Sequence, residues 1–229
     1  MDGPVDLLPD AEGHRHSALV GHLPRLHDLD PASVRAAVRL PVRFGDGYAA
    51  LGTLFSFNGL TDRREHVVLG LGSRESAEVP LVRMHSECLT GDVFGSQRCD
   101  CGPQLREAVE LIAEAGGYLI YMRQEGRDIG LYNKIDAYAL QEQGLDTFQA
   151  NRALGLPDDA RDYTAAAQML HALDVGTVDL LTNNPDKALA LDRLGIEVRK
   201  MVPTGLFQNV ANLRYLQTKA TEGHHTLDV

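Results

Sequence analysis

Residues 83–104 read RMHSECLTGDVFGSQRCDCGPQ and contain all three cysteines of the chain. Cys88, Cys99 and Cys101 follow the spacing Cys-x10-Cys-x-Cys. Thiolates this close together suit a borderline-soft metal, and zinc is the usual choice in proteins. Three protein ligands leave one tetrahedral position for water, as in a catalytic zinc site, where the metal makes that water a nucleophile near neutral pH. The segment therefore predicts a candidate zinc site.

Other interpretations of these cysteines stay open at this point. His85 could supply a fourth ligand and close a structural site with three cysteines and one histidine. The cysteines could also be unliganded core residues, or two of them could form a disulfide, which the reducing cytosol disfavours. The spacing does not match the paired Cys-x2-Cys knuckles that are typical of structural zinc sites.

The composition is typical of a soluble globular protein. The chain has 229 residues, of which 44% are hydrophobic and 24% charged, enough for one large domain or two small ones. Its net charge of −10 argues against a nucleic-acid partner, because such proteins carry a basic footprint. We expect no membrane partner and a cytoplasmic location, since the sequence shows neither an apolar run of spanning length nor a secretory signal.

The first part of the chain predicts an extension followed by strands. Residues 1–37 are assigned to a mobile or loosely packed N-terminal extension and residues 38–229 to a single domain. A short helix is expected at residues 31–38, because Asp30 is a good N-cap and Pro31 suits the first turn. Apolar segments separated by turn signals then predict an antiparallel sheet that leads into the cysteine segment. These segments span residues 38–44, 48–57, 66–71 and 79–85.

The rest of the chain alternates between helical and strand patterns, which is typical of α/β proteins. The predicted helices span residues 103–115, 134–143, 163–173 and 186–194, with a further short helix beginning at Asp146 or Thr147. The predicted strands span residues 118–122, 177–182 and 196–202. The last strand, helix and strand form a βαβ unit, so the fold class is α/β, with an antiparallel, α+β-like first part.

Residues 123–131, which read RQEGRDIGL, follow the predicted strand at residues 118–122. Ligands often bind at the carboxyl ends of strands in α/β folds. Two arginines around a glycine can bind phosphate oxygens bidentately, although a surface loop with an Arg–Glu pair fits the same residues. The loop is therefore a candidate anion site.

The cysteine segment resembles the zinc segment of GTP cyclohydrolase II, the family that opens the path from GTP to riboflavin. The resemblance begins with HSECLTGD at residues 85–92 and RCDCG at residues 98–102. It continues through RQEGR at 123–127, DARDY at 159–163, TNNPDK at 182–187 and NLRYLQTK at 212–219. It covers about residues 38–225, so we expect the stand-alone form, without the butanone-phosphate synthase domain that is often fused ahead.

The resemblance implies a catalytic zinc on the three cysteines, Mg²⁺ on the substrate phosphates, and a homodimer. It assigns Asp159 as proton acceptor and Arg161 as a nucleophile towards the α-phosphate, and it places Tyr138 beside the reacting base. Without the family, Asp159 and Arg161 would be a solvated pair ahead of a helix capped by Asp162. An electrostatic role for Arg161 also stays open, because arginine is essentially always protonated.

The resemblance also implies a set of contacts with GTP. Gln104 and Thr147 would contact the base. The expected contacts with the triphosphate and the rest of the nucleotide are Arg83, Met84, His85, Ser86, Glu87, Glu125, Gly126, Arg127, Thr182 and Lys187. The implied reaction releases formate from C8 of guanine and pyrophosphate, and gives 2,5-diamino-6-(5-phosphoribosylamino)pyrimidin-4-one.

Several positions depart from the family pattern. They are Met84, Met122, Asp128, Gln149, Lys200 and Met201. Met84, Met122, Gln149 and Met201 leave open a specialised paralogue that retains the formyl group or acts on another purine. A non-catalytic zinc- or nucleotide-binding protein is the alternative from a different functional class.

Overall fold

The structure is a computed structural model that describes residues 30–209 and residue 212. The strands are β1 (Ser33–Arg43), β2 (Ala49–Asn58), β3 (Val67–Leu71), β4 (Leu81–Ser86), β5 (Gly117–Met122), β6 (Thr177–Leu181) and β7 (Glu197–Val202). The helices are α1 (Leu89–Asp92), α2 (Cys101–Ala115), α3 (Leu131–Glu142), α4 (Thr147–Ala153), α5 (Thr164–Ala172) and α6 (Pro185–Arg193). The predicted extension up to residue 29 and most of the C-terminal motif at 212–219 lie outside the described residues.

All seven strands form one mixed sheet in the order β1-β2-β3-β5-β4-β6-β7. The pairs β1–β2, β2–β3 and β3–β5 are antiparallel. The pairs β5–β4, β4–β6 and β6–β7 are parallel. This confirms the α/β class with an antiparallel first part, and β6, α6 and β7 form the predicted βαβ unit.

The helix predicted at residues 31–38 is wrong, because this segment enters strand β1. β1 pairs with β2 from Ser33 opposite Asn58 to Arg43 opposite Ala49. This long ladder forms more backbone hydrogen bonds than the short helix predicted at residues 31–38 would form. Residues 33–37, which the sequence assigned to the extension, therefore belong to the sheet.

The fully antiparallel arrangement predicted for the first four strands is also wrong, because β4 lies between β5 and β6 and runs parallel to both. The physical reason is the connection between β4 and β5. Helix α2 crosses over between them, and a crossover of this length brings the next strand back in the parallel direction.

Apolar side chains cover both faces of the sheet. On one face, α2 contributes Ala108, Val109 and Ile112 to a cluster with Leu69, Leu71, Leu81 and Leu119. On the other face, α5 and α6 contribute Met169, Leu170 and Leu191 to a cluster with Val68, Val82, Met84, Ile120 and Met122. Covered faces leave the carboxyl ends of the parallel strands as the open part of the sheet. Within the described ranges, no helix combines the length and the apolar character needed to cross a membrane.

The close pairing of β4 with β5 requires a residue without a side chain at Gly117. A Cβ atom at this position would lie 1.9 Å from the carbonyl oxygen of Leu81. We expect Gly117→Ala to lower the free energy of unfolding in urea by roughly 1–3 kcal/mol, the cost of overpacking. Gly176→Ala is the matched control, because nothing lies within 4 Å of its added Cβ. Equal unfolding free energies for the two variants would contradict this account of the strand pair.

Candidate active site

A cavity of about 160 Å³ opens at the carboxyl ends of β4 and β5. The last residues of these strands, Ser86 and Met122, lie opposite each other. The amide of Glu87 donates to the carbonyl of Met122 at 2.7 Å and extends the ladder by one bond. The two following loops therefore leave the sheet side by side, where α/β folds usually bind ligands.

The three cysteine sulfurs meet at the wall of this cavity. All three lie within 4.8 Å of one another, and Sγ of Cys88 lies 3.6 Å from Sγ of Cys99. Four ligands around a zinc with Zn–S bonds of about 2.3 Å would place their sulfurs roughly 3.8 Å apart, so the cluster fits this metal. The three are free thiols, which excludes the disulfide alternative in this structure.

Close packing around Gly91 brings the sulfurs together. The one-turn helix α1 follows Cys88, and α2 begins at Cys101. A Cβ atom on Gly91 would lie 2.8 Å from Sγ of Cys99 and 3.1 Å from Sγ of Cys88. A residue without a side chain is therefore needed beside the cluster.

Shared hydrogen bonds separate the pKa values of the cysteines. Hydrogen bonds with Cys101 and Cys99 hold the pKa of Cys88 well below its ordinary value. The same contacts with Cys88 and Cys99, together with burial, raise the pKa of Cys101 well above its ordinary value. A divalent cation bound among these sulfurs would replace the thiol protons that the hydrogen bonds share.

His85 belongs to a different buried group, outside this cysteine cluster. Its Nε2 lies 3.0 Å from Oδ1 of Asp92, and burial lowers the pKa of the imidazole. Asp92 also accepts hydrogen bonds from the amide of Cys88 at 3.0 Å and from the hydroxyl of Tyr121 at 2.8 Å. This carboxylate ties the cysteine loop to both central strands. Asp92 lies in the motif at residues 85–92, but the sequence alone gave no role for it.

Lys134 is a second residue that sequence reasoning missed. Its Nζ lies 3.1 Å from Sγ of Cys88, 3.1 Å from Oγ1 of Thr90 and 2.7 Å from Oε1 of Glu125. Burial acts to lower the pKa of this ammonium, but the charges of Cys88 and Tyr138 and the hydrogen bonds with Glu125 and Cys88 together outweigh burial and raise the pKa above its ordinary value. Lys134 therefore places a positive charge directly against the cysteine cluster.

On the opposite wall, Arg83 is buried and faces into the same cavity. Its Nη2 donates to Gln104 at 2.8 Å, and the amide nitrogen of Gln104 donates to Asp100 at 2.7 Å. Burial lowers the pKa of Arg83. Among the described residues, Nε of Arg83 and Oγ of Ser86 are buried without a hydrogen-bond partner. Buried polar atoms are rarely left unpaired, so these two atoms point to a polar ligand.

The loop at residues 123–131 is held in a strained conformation. Arg127 and Asp128 have φ angles of 60° and 73°, in the left-handed region. Strain of this kind is concentrated at functional sites. Asp, Asn and Gly tolerate this region best, which explains why Asp128 can replace the more usual Gly or Asn. The side chain of Asp128 forms an ion pair with Arg64.

A cationic end of the cavity is built by Arg127, Arg161 and Lys187. Nε of Arg161 donates to Oδ1 of Asp159 at 2.9 Å, and Nζ of Lys187 donates to the carbonyl of Met84 at 2.7 Å. Burial acts to raise the pKa of Asp159, but the hydrogen bonds and charge of Arg161 and the charge of Arg127 together outweigh burial and lower the pKa. Three cationic side chains in one cavity suit a polyanionic ligand.

Almost all predicted site residues line this one cavity. The exception is Asp159, which is paired with Arg161 beside it. The polar lining residues that sequence reasoning did not assign are Arg98, Lys134, Gln141, Asn151, Asn183 and Thr204. Arg98 and Asn183 lay inside quoted motifs and could have been found there. The other four carry no local signal, because distant parts of the chain bring them to the wall.

Comparison with known sequences decides the family. The sequence model of the family described as GTP cyclohydrolase II matches residues 34–203. The chain belongs to the GTP cyclohydrolase II family. This confirms the resemblance and the expectation of an enzyme of this type.

The relatives of this GTP cyclohydrolase II family member match over most of its length. It is 50% identical over 194 residues to the GTP cyclohydrolase-2 of Psychromonas ingrahamii, covering 84% of this chain and 97% of the relative. It is 50% identical over 199 residues to the Vibrio vulnificus GTP cyclohydrolase-2, covering 86% of this chain and 100% of the relative. The riboflavin biosynthesis protein RibBA of Bacillus mycoides is 49% identical over 206 residues, or 90% of this chain and 51% of that protein.

One solved structure shows a distant likeness. It is RibBX, a two-domain 3,4-dihydroxy-2-butanone 4-phosphate synthase from A. baumannii. It superposes with a TM-score of 0.41 and 17% identity, over 78% of this chain and 42% of that chain. A likeness at this level does not bear on function.

Tyr138 lies between two cations at the mouth of the site. Cζ of Arg98 is 4.9 Å from the centre of its ring, and Nζ of Lys134 is 5.7 Å from it. Burial raises the pKa of Tyr138, so its phenol is neutral near pH 7 and can both donate and accept a hydrogen bond. Tyr138 lines the same cavity as the three cysteines, and its place beside the reacting base stays a prediction.

Proposed function

We propose that this protein is a zinc-dependent GTP cyclohydrolase II. It hydrolyses GTP at C8 of guanine, releases formate and pyrophosphate, and gives 2,5-diamino-6-(5-phosphoribosylamino)pyrimidin-4-one, the first step of riboflavin biosynthesis. The observation that carries the proposal is that one cavity joins an open cluster of three cysteines to a cationic end built by Arg127, Arg161 and Lys187. The two parts suit the two ends of GTP, the reacting base and the triphosphate.

The donor set supports zinc at the cysteine end. Cys88, Cys99 and Cys101 supply three sulfur ligands and leave the cavity side for a fourth. A zinc ion held there would act as a Lewis acid and lower the pKa of water near C8. His85 lies outside the group of ligand atoms formed by the three cysteines, and its Nε2 is hydrogen-bonded to Asp92.

Base recognition is proposed for the part of the cavity beside the metal cluster. Thr147 and Gln104 line the cavity, and Tyr138 presents its neutral phenol beside the metal cluster. Glu125 carries a negative charge there and is held by Lys134. These groups would orient the purine so that C8 faces the cysteines, which is the main contribution of positioning to such a reaction.

Triphosphate binding is proposed for the cationic end, with Mg²⁺ bridging phosphate oxygens. Arg161 stabilises the charge that develops as pyrophosphate leaves, and Asp159 orients the guanidinium through the Nε bond of 2.9 Å. A covalent role for Arg161 would require Asp159 to take its proton. The lowered pKa of Asp159 opposes that transfer and favours the electrostatic role.

Some family departures have a structural explanation that does not involve substrate choice. Met84 and Met122 are almost fully buried and pack into the apolar cluster under α5. Gln149 completes a capping box, in which its side chain accepts from the amide of Asp146. Glutamate and glutamine serve equally at this position of a capping box. These residues therefore give no support to an altered paralogue, whereas the homodimer and the cytoplasmic location stay predictions.

The reaction itself is tested by the products. Zinc-loaded protein is incubated with GTP and Mg²⁺, and formate and pyrophosphate are both quantified. We expect both products in equal amounts, and we expect Cys99→Ser to abolish formate because it removes a metal ligand. Pyrophosphate without formate from the unaltered protein would indicate a paralogue that retains the formyl group. Neither product from folded, zinc-containing protein would contradict the proposal.

The role of Arg161 is tested by a matched pair of arginine variants. Arg161→Ala removes positive charge from the cationic end, and we expect kcat to fall about 100-fold, the usual loss for one group that stabilises developing charge. Arg199→Ala is the control, because Arg199 also pairs with an aspartate, Asp179, but lies on β7 away from the cavity. Steady-state pyrophosphate release measures both. Equal rates for the two variants would exclude this role.

A further inference from the structure

The side chain of Lys134 contacts the segment after β4 that begins with Cys88, which we call the metal loop. It lies in the first turn of α3, and its side chain is only 11% exposed. An ammonium group has three protons to donate, and three acceptors surround this one. They are Sγ of Cys88, Oγ1 of Thr90 and Oε1 of Glu125. A buried ammonium whose three protons all have acceptors is held in a defined orientation.

The partner carboxylate extends these contacts to the backbone of both site loops. Oε2 of Glu125 accepts from the amide of Leu89 at 2.6 Å, directly after Cys88. Oε1 of Glu125 also accepts from the amide of Gly126 at 3.0 Å, within the loop that follows β5. Lys134 and Glu125 together therefore hold the metal loop and the proposed nucleotide loop at a fixed separation.

Charge gives a second reason for a cation at this place. Three thiolates and one divalent cation carry a net charge of −1, and an uncompensated buried charge is costly. The ammonium of Lys134 lies at hydrogen-bonding distance from a cysteine sulfur and shares its positive charge between that sulfur and the carboxylate of Glu125. Arg98, the neighbouring cation, is directed instead to the ring of Tyr138 and to Glu142.

We propose that Lys134 is a positioning residue that retains the metal in the cysteine cluster, by neutralising the Cys88 thiolate and by joining the metal loop to Glu125. The inference rests on the proposed zinc site. It concerns how firmly the metal is held and how the two loops are aligned, whereas the reaction at C8 is a separate question. Groups that contact metal ligands commonly change metal affinity by 10- to 100-fold.

The test is the rate at which zinc-loaded protein transfers zinc to a chromophoric chelator. Lys134→Met keeps the length of the side chain and removes its charge, and we expect release at least about tenfold faster. Lys134→Arg keeps the charge, and we expect it to restore most of the slow release. Lys200→Met is the control, because Lys200 is a 59% exposed lysine on β7 that pairs with Asp179. We expect its release rate to equal that of the unaltered protein.

A second variant and a second readout separate positioning from a general loss of structure. Thr90→Val removes one acceptor of Lys134 and retains the lysine, and we expect release about threefold faster. Circular dichroism of the zinc-loaded variants reports folding, and activity in excess zinc reports alignment. We expect KM for GTP to be higher in Lys134→Met than in the unaltered protein even at full zinc occupancy, because Glu125 has lost its ion pair with Lys134.

The outcomes distinguish the inference from the proposed function. If the unaltered protein binds no zinc, the proposed function and the inference both fail. If it binds zinc and Lys134→Met releases it at the unaltered rate, the inference alone is overturned. If Lys134→Met does not fold, unchanged release from Thr90→Val overturns the inference, whereas faster release from Thr90→Val supports it.

Discussion

The parallel pairing of β4 with β5 is the interaction on which the rest of the site depends. It aligns six residue pairs from Leu81 opposite Gly117 to Ser86 opposite Met122. Because the two strands end together, the cysteine loop and the loop at residues 123–131 start from the same edge of the sheet. Gly117 permits this close approach, and the two apolar clusters keep the strands covered on both faces.

Buried charged groups then convert this edge of the sheet into a site. Asp92 holds the cysteine loop to β4 and β5, and Glu125 with Lys134 holds it to the next loop. Each of these side chains is satisfied by more than one partner, which is the condition under which buried polar networks add rigidity. Among the described residues, two of the buried polar atoms without a protein partner, Nε of Arg83 and Oγ of Ser86, belong to residues that line the cavity. The polar atoms that hold the loops in place are therefore different from the polar atoms that are available to a ligand.

Strand patterns, caps and family motifs are encoded by neighbouring residues, so the sequence predicted most elements and most of the residues that line the cavity. The errors have a common physical cause in long-range pairing. The segment predicted to form a helix after Asp30 instead pairs with β2. The direction of β4 relative to β5 depends on the crossover through α2. Lys134 was missed for the same reason, since its acceptor Cys88 is 46 positions away in the chain. Tertiary contacts of this kind leave no local pattern.

The central claim is that the three cysteines hold a zinc with one position open to the substrate cavity. X-ray absorption at the zinc edge of the zinc-loaded protein tests it most directly. The account predicts three sulfur ligands at about 2.3 Å and one oxygen ligand at about 2.0 Å, with the oxygen ligand altered when GTP is added. A shell of three sulfurs and one imidazole that GTP leaves unchanged would contradict it, because the metal would then be closed and structural.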